Sequence, residues 1–263
     1  MRTRTVAAAG AMLAAVLALS ACGGGTGAQG ADGGAKGGAT SASPAPKRTS
    51  GDTVPNGTET VSKQLEYYIA HPNGEKTVAL TFDDGPSGTW TPRILAELAK
   101  YNAHATFCEI GPNATANPGA VKQVLAAGDR LCDHSVHHNE AMSKRGLAYE
   151  TNEIVGAKQM IEQAGGEGTQ VSWFRAPGGD FSPEIRQISA ENGLRPLAWS
   201  VDTNDWKRPG VAAIVATVKK EVKPGSIILM HDGGGDRSQT VAALAQLLPW
   251  LVQQGYSINF PDA

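Results

Sequence analysis

Residues 76–110 read KTVALTFDDGPSGTWTPRILAELAKYNAHATFCEI, and the fold class is decided there. Thr77 to Phe82 is a short run rich in β-branched and aromatic residues, closed by the turn signal Asp83-Asp84-Gly85-Pro86. Thr91 to Tyr101 then carries apolar residues at helical spacing with Pro92 in its first turn, and Ala105 to Cys108 returns to strand composition. Strand, helix and strand in close succession make a βαβ unit, the building block of parallel sheets.

The alternation continues outward to the C-terminus. Further strands are predicted at Arg130 to His134, Val171 to Arg175, Leu194 to Val201, Ser226 to His231 and Tyr256 to Phe260. Helices are predicted at Pro118 to Ala127, Tyr149 to Ala164, Pro183 to Asn192, Val211 to Val222 and Thr240 to Gln253. This pattern gives an α/β domain over residues 76–260, a distorted, incomplete (β/α) barrel of about seven parallel strands rather than an open sheet.

Toward the N-terminus the composition changes. Arg2 and Arg4 precede an uninterrupted small and apolar run from Val6 to Ala21, the charge and length of a signal peptide, too short and alanine-rich for a permanent span. Its end, Leu19-Ser20-Ala21-Cys22, resembles a bacterial lipobox, in which Cys22 is diacylated and becomes the new N-terminus. The alternative is an ordinary secretory signal beside an incidental cysteine. Residues 22–60 are rich in Gly, Ala, Ser and Pro, lack the apolar surface to fold, and are expected to form a flexible linker. The expected location is therefore extracytoplasmic, with contact to the membrane only through the lipid on Cys22.

A chain of 263 residues with 41% apolar content buries one sizeable core and seldom two. Its 23 basic and 25 acidic side chains give a net charge of −2, and removing the leader takes away two of the basic ones. Nothing in this balance calls for nucleic acid as a partner, and the expected state is a monomer.

Reactive residues gather at the carboxyl ends of the candidate strands. Asp83 and Asp84 follow the first, His134 and His138 the third, Arg175 the fourth, Asp202 and Asp205 the fifth, and His231 with Asp232 the sixth. In a parallel barrel those ends share one face, where loops assemble a site. One carboxylate and two histidines four residues apart form a ligand set suited to a divalent ion, Zn2+ first and Co2+ or another divalent ion as alternatives. Asp84, His134 and His138 are assigned to it; His134 with His137 remains an alternative pair.

Thr81-Phe82-Asp83-Asp84-Gly85, His134-Ser135-Val136-His137-His138, Arg175-Ala176-Pro177-Gly178-Gly179, Asp202-Thr203-Asn204-Asp205-Trp206 and Leu229-Met230-His231 resemble, in order, the five motifs of polysaccharide deacetylases with a NodB-homology domain, carbohydrate esterase family 4. The resemblance spans about Lys76 to Phe260 and implies a metal-dependent hydrolase. Its expected substrate is an acetylated polysaccharide or oligosaccharide, with N-acetyl groups of N-acetylglucosamine in peptidoglycan or chitooligosaccharide favoured. It implies Asp83 as general base, Arg175 as the cation that keeps it ionised, His231 as general acid, and Asp205 as the carboxylate orienting His231. A backbone N–H near Gly178 is expected to help hold the oxyanion, and Trp206 and Leu229 to line the groove beside the acetyl group.

Two departures from the family pattern stand out. The third motif commonly has an aromatic where Gly178 stands, which predicts a lower groove wall, and His138 is followed by Asn139 instead of proline. The glycines from Gly233 to Gly235 precede Asp236 and Arg237 with no phosphate-loop lysine, and read as a flexible rim loop.

Cys22 taken by the lipid leaves Cys108 and Cys132 as an even pair in an oxidising compartment. They lie at the ends of neighbouring candidate strands and are predicted to form a disulfide, two buried thiols being the alternative. Competing functions are an acetylxylan esterase using the same residues on O-acetyl groups, an inactive carbohydrate-binding lipoprotein, and a metal-scavenging lipoprotein. Asp83 and His231 argue against the inactive binding lipoprotein, which needs neither base nor acid, and a metal scavenger would enclose its ion with more protein ligands and show no hydrolysis.

Overall fold

The computed structural model describes residues 61–70 and 74–261; the expected leader, Cys22 and the linker lie outside them. Eight strands are seen: β1 (Thr77–Gly85), β2 (Ala105–Glu109), β3 (Arg130–Asp133), β4 (Trp173–Phe174), β5 (Arg195–Pro196), β6 (Val201–Asp202), β7 (Ile227–His231) and β8 (Ser257–Ile258). Seven helices accompany them: α1 (Thr91–Ala99), α2 (Gly111–Ala116), α3 (Pro118–Ala126), α4 (Leu147–Gly165), α5 (Pro183–Glu191), α6 (Val211–Glu221) and α7 (Ser238–Gln253). Local chemistry sets several starts: Pro92, Pro118 and Pro183 lie in first turns, and Ser182 Oγ accepts from Ile185 N at the head of α5.

The strands pair in parallel in the order β5-β4-β3-β2-β1-β7-β6, seven along the path, with β8 against the start of β1. Chain length alone forces this sheet to curl. The two ends of the path, β5 and β6, are separated by only Leu197 to Ser200, a reach of roughly 18 Å, whereas seven flat strands would be about 29 Å across. The sheet is therefore a curled half-barrel, as expected.

One expected strand divides. Leu194 to Val201 was predicted as a single element, but its first part joins β4 and its last part joins β7, so β5 and β6 lie at opposite ends of the path. Sequence period cannot reveal a strand that changes partner midway. Between them runs a seam without a ladder, bonded outward through Leu197 N to Phe174 O at 2.8 Å and Ser200 N to Ile227 O at 3.0 Å. Residues 66–69, placed before the expected domain start at Lys76, cross this seam. Glu66 N donates to Pro196 O, Ala198 N to Glu66 O, and Ile69 N to Gly225 O.

Side-chain alternation divides the core in two. Val78, Leu80 and Phe82 of β1 join the layer between sheet and helices, with Ile94, Ile154, Ile214 and Leu247. Ala79 faces the barrel interior with Ile69, Cys108, Cys132, Trp173, Leu197 and Ile227. Cys108 and Cys132 are register partners on β2 and β3 and are joined by a disulfide with Cα atoms 4.1 Å apart.

Candidate active site

Adjacent residues on a strand point to opposite faces, so Asp83 and Asp84 would be expected to diverge. They do not, because the β1–β2 register shifts between Asp83 and Gly85 and Asp84 takes φ +72°. This bulge lets both carboxylates line one cavity at the carboxyl ends of the strands. Both also lie within β1 rather than after it, the strand running three residues longer than predicted.

The cavity, about 630 Å³, is lined by Asp83, Asp84, His134, His138, Gly178, Trp206, Leu229 and His231, and also by Glu140, Trp199, Asp202 and Arg237. Asp84 Oδ1 is buried and accepts no hydrogen bond, yet His138 Nε2 lies 3.2 Å and His134 Nε2 3.6 Å from it. Ligand atoms of these three residues all fall within 4.8 Å of one another. An orphaned carboxylate oxygen facing two imidazole nitrogens is the donor set a divalent cation fits. Burial would push the Asp84 carboxyl up, but His134 and His138 outweigh it and hold it well below the usual carboxylate range.

Supporting bonds orient this set. His134 Nδ1 is 2.8 Å from Arg175 O, which commits the other ring nitrogen to the ligand side. The His138 amide donates to Ser135 Oγ, and Asn113 Nδ2 of α2 donates to Asp84 O. His137 does not join: its ring is exposed, with Nδ1 2.5 Å from Glu153 Oε1 of α4. The same carboxylate accepts from the Val136 and His137 amides and holds the loop that carries His138.

Asp83 is 3% exposed and its Oδ1 accepts from Arg175 Nη1 at 2.7 Å, while Oδ2 lies 3.6 Å from His134 Nε2. Arg175, fully buried, spends its other donors on Thr81 Oγ1 and on the seam carbonyls Leu197 O and Ala198 O. It therefore fixes the barrel seam and compensates Asp83 at once. His231 is the register partner of Asp83 on β7. Its Nδ1 is 2.7 Å from Asp205 Oδ1, and Asp205 also accepts from the His231 amide and from Thr240 Oγ1. Burial alone would lower the His231 imidazole, but Asp205 raises it above its ordinary value. Asp205 moves the opposite way, burial being outweighed by its bonds to His231 and Thr240. Asp202 Oδ1 accepts from Asn204 N and so ties the turn before Asp205.

Gly178 has φ +60° and exposes an N–H that donates to no described residue. A Cβ there would stand 3.0 Å from Glu140 Cβ, so the expected low wall is partly filled by Glu140 from the loop after His138. Trp206 is half exposed at the cavity rim and Leu229 is buried beneath it. The loop from Gly233 is not the free rim that composition suggested. A Cβ on Gly233 would fall 1.9 Å from Asp84 O, so the loop is pressed against the ligand-bearing bulge. Sequence reasoning missed Glu140, Trp199, Glu153 and Arg237, which lie outside the recognisable motifs.

Residues 70–197 match the family model described as polysaccharide deacetylase. The peptidoglycan-N-acetylglucosamine deacetylase of Bacillus cereus is 44% identical over 187 residues, covering 70% of this chain and 86% of that protein. A chitooligosaccharide deacetylase of Sinorhizobium fredii is 39% identical over 210 residues, covering 75% and 97%. Among solved structures, a pseudoenzyme of carbohydrate esterase family 4 from Bacillus anthracis superimposes with a TM-score of 0.68 at 31% identity, over 75% of this chain and 67% of that one. That last likeness shows that this fold alone does not guarantee turnover. The motif residues, the curled parallel sheet and the extent of these matches agree, and the chain belongs to the polysaccharide deacetylases, the NodB-type hydrolases of carbohydrate esterase family 4.

Proposed function

We infer that this chain removes N-acetyl groups from glycans containing N-acetylglucosamine, using a divalent ion, at the outer face of a membrane to which a lipid on Cys22 tethers it. The observation that carries the reading is Asp83 and His231 in register on adjacent strands, both opening on the cavity where Asp84, His134 and His138 converge. A base and an acid beside a cation site are the parts amide hydrolysis needs.

A divalent ion, Zn2+ or Co2+, held by Asp84, His134 and His138 supplies a water of lowered pKa and an electrophilic contact for the acetyl carbonyl. The chain's own groups do the rest. Asp83, with Oδ1 held by Arg175, keeps Oδ2 on the ligand side to take the proton of the attacking water. The free Gly178 N–H is available to the carbonyl oxygen as charge builds on it. His231, with Nδ1 engaged by Asp205, presents Nε2 to protonate the departing amine. Trp206 and Leu229 form the apolar wall for the methyl group.

The test is acetate release by the mature chain with added zinc from chitooligosaccharides, peptidoglycan fragments and acetylated xylan. Release from the first two supports the reading; release from xylan alone would make it an O-acetyl esterase. Two further outcomes follow. Because Asp205 raises the His231 imidazole, the acid form persists to higher pH, and the rate falls as pH rises through that raised value. Asp205→Asn should then shift the alkaline limb of the pH–rate profile to lower pH and reduce the maximum; an unmoved limb removes His231 as the acid. Cys22→Ser should move the protein from the membrane fraction to the medium. Among the described residues no helix is long and apolar enough to cross a membrane.

A further inference from the structure

Arg237 stands at the head of α7, behind three glycines, and is only 4% exposed. Guanidinium stays charged at any working pH, and burying it without a counter-charge is costly. Its carboxylate neighbour in sequence, Asp236, makes its ion pair with Arg208 at 2.7 Å on the surface and acts on Arg237 only through space. Main-chain carbonyls serve instead: Arg237 Nε donates to Gly233 O at 2.5 Å and Nη1 to Trp206 O at 3.4 Å. Nη2 is left over. It lies 3.1 Å from the position a Cβ on Gly234 would occupy, and Asp84 Oδ2 lies 2.6 Å from that same position. The absent side chain of Gly234 therefore leaves a hollow between the guanidinium and the edge of the cation site, opening on the cavity.

The other basic side chains of the cavity are balanced. His134 and His138 face Asp84, and His231 faces Asp205. Among the described residues Arg237 alone lines the cavity with a permanent charge and no carboxylate in ion-pairing range. A planar cation with a spare N–H, pinned by two carbonyls and with no carboxylate within 4.0 Å, can receive a carboxylate from outside the protein.

We propose that Arg237 is a substrate-binding residue whose free nitrogen takes a carboxylate on the sugar next to the one that loses its acetyl group. This rests on the deacetylase reading above and deepens it. Chitooligosaccharides carry no such group, whereas the lactyl ether of N-acetylmuramic acid, alternating with N-acetylglucosamine, does. The groove thus distinguishes an acidic glycan from a neutral one of the same backbone.

The test compares a peptide-free tetrasaccharide of alternating N-acetylglucosamine and N-acetylmuramic acid with its lactyl methyl ester. Dissociation constants are measured by calorimetry on the metal-free chain, and kcat/KM for acetate release on the zinc-loaded chain. The acid is expected to bind about tenfold more tightly than the ester, the scale of one hydrogen bond to a charged group. Arg237→Gln should erase that ratio and Arg237→Lys should keep part of it. Equal binding of acid and ester by the unaltered chain, which needs no variant to fold, overturns the proposal, as does a ratio that survives in Arg237→Gln. Preferential binding without acetate release would sink the deacetylase reading and leave the Arg237 site standing; release from both with equal binding would do the reverse.

Discussion

Asp83→Asn is expected to lower acetate release by about 10²–10⁴-fold, the range supplied by a positioned general base, while leaving the bound metal in place. An asparagine retains the size of the side chain and can still accept from Arg175 Nη1, so the seam bonds to Leu197 and Ala198 survive and the domain should fold. Only the proton acceptor is removed. Metal content by elemental analysis and thermal unfolding should match the unaltered chain. A variant that turns over within a few-fold of normal would place the base elsewhere, and the nearest other carboxylate, Asp84, would then need a second role.

Removing the metal should cost as much or more. Stripping with a chelator is expected to reduce acetate release by about 10³-fold or more, since activation of water and of the carbonyl are lost together. Adding Zn2+ or Co2+ should restore it, and the cobalt form should show the absorption of an ion held by nitrogen and oxygen ligands. The orphaned Asp84 Oδ1 makes the physical case: without a cation, a buried carboxylate oxygen faces two imidazoles with no hydrogen bond of its own. Asp84→Asn should abolish both the restored rate and the cobalt signal. Undiminished release from a chain shown to be free of metal would end this account.

Long, continuous strands were legible almost to their ends, whereas the short ones were located within Val171 to Arg175, Leu194 to Val201 and Tyr256 to Phe260 but not in their true extent. β1 and β7 are nine and five residues of nearly unbroken burial, which a run of apolar residues announces. β4, β5 and β6 are two residues each, too short for any period to register, and the seam between the last two depends on partners supplied by distant segments. α2 was missed because Gly111 to Ala116 carries no apolar repeat; its use is to deliver Asn113 to Asp84. At the site, residue types and their places at strand ends could be read from the chain. The bulge that turns Asp84 toward Asp83 could not, because φ +72° at an aspartate leaves no compositional trace. Arg237 was passed over for a similar reason. Its burial follows from glycines that let its loop lie against Asp84, and glycines alone suggested mobility.

The guanidinium of Arg175 has implications for how this lineage can vary. Its three nitrogens divide their work between the seam carbonyls and the Asp83 carboxylate. Lysine would bring a single nitrogen to a place where three directions are required, so it could not serve Asp83 and both seam carbonyls together. Were Asp83 lost, the bonds from Arg175 to Leu197 O and Ala198 O would still tie the barrel seam, so the structural duty does not depend on the chemistry.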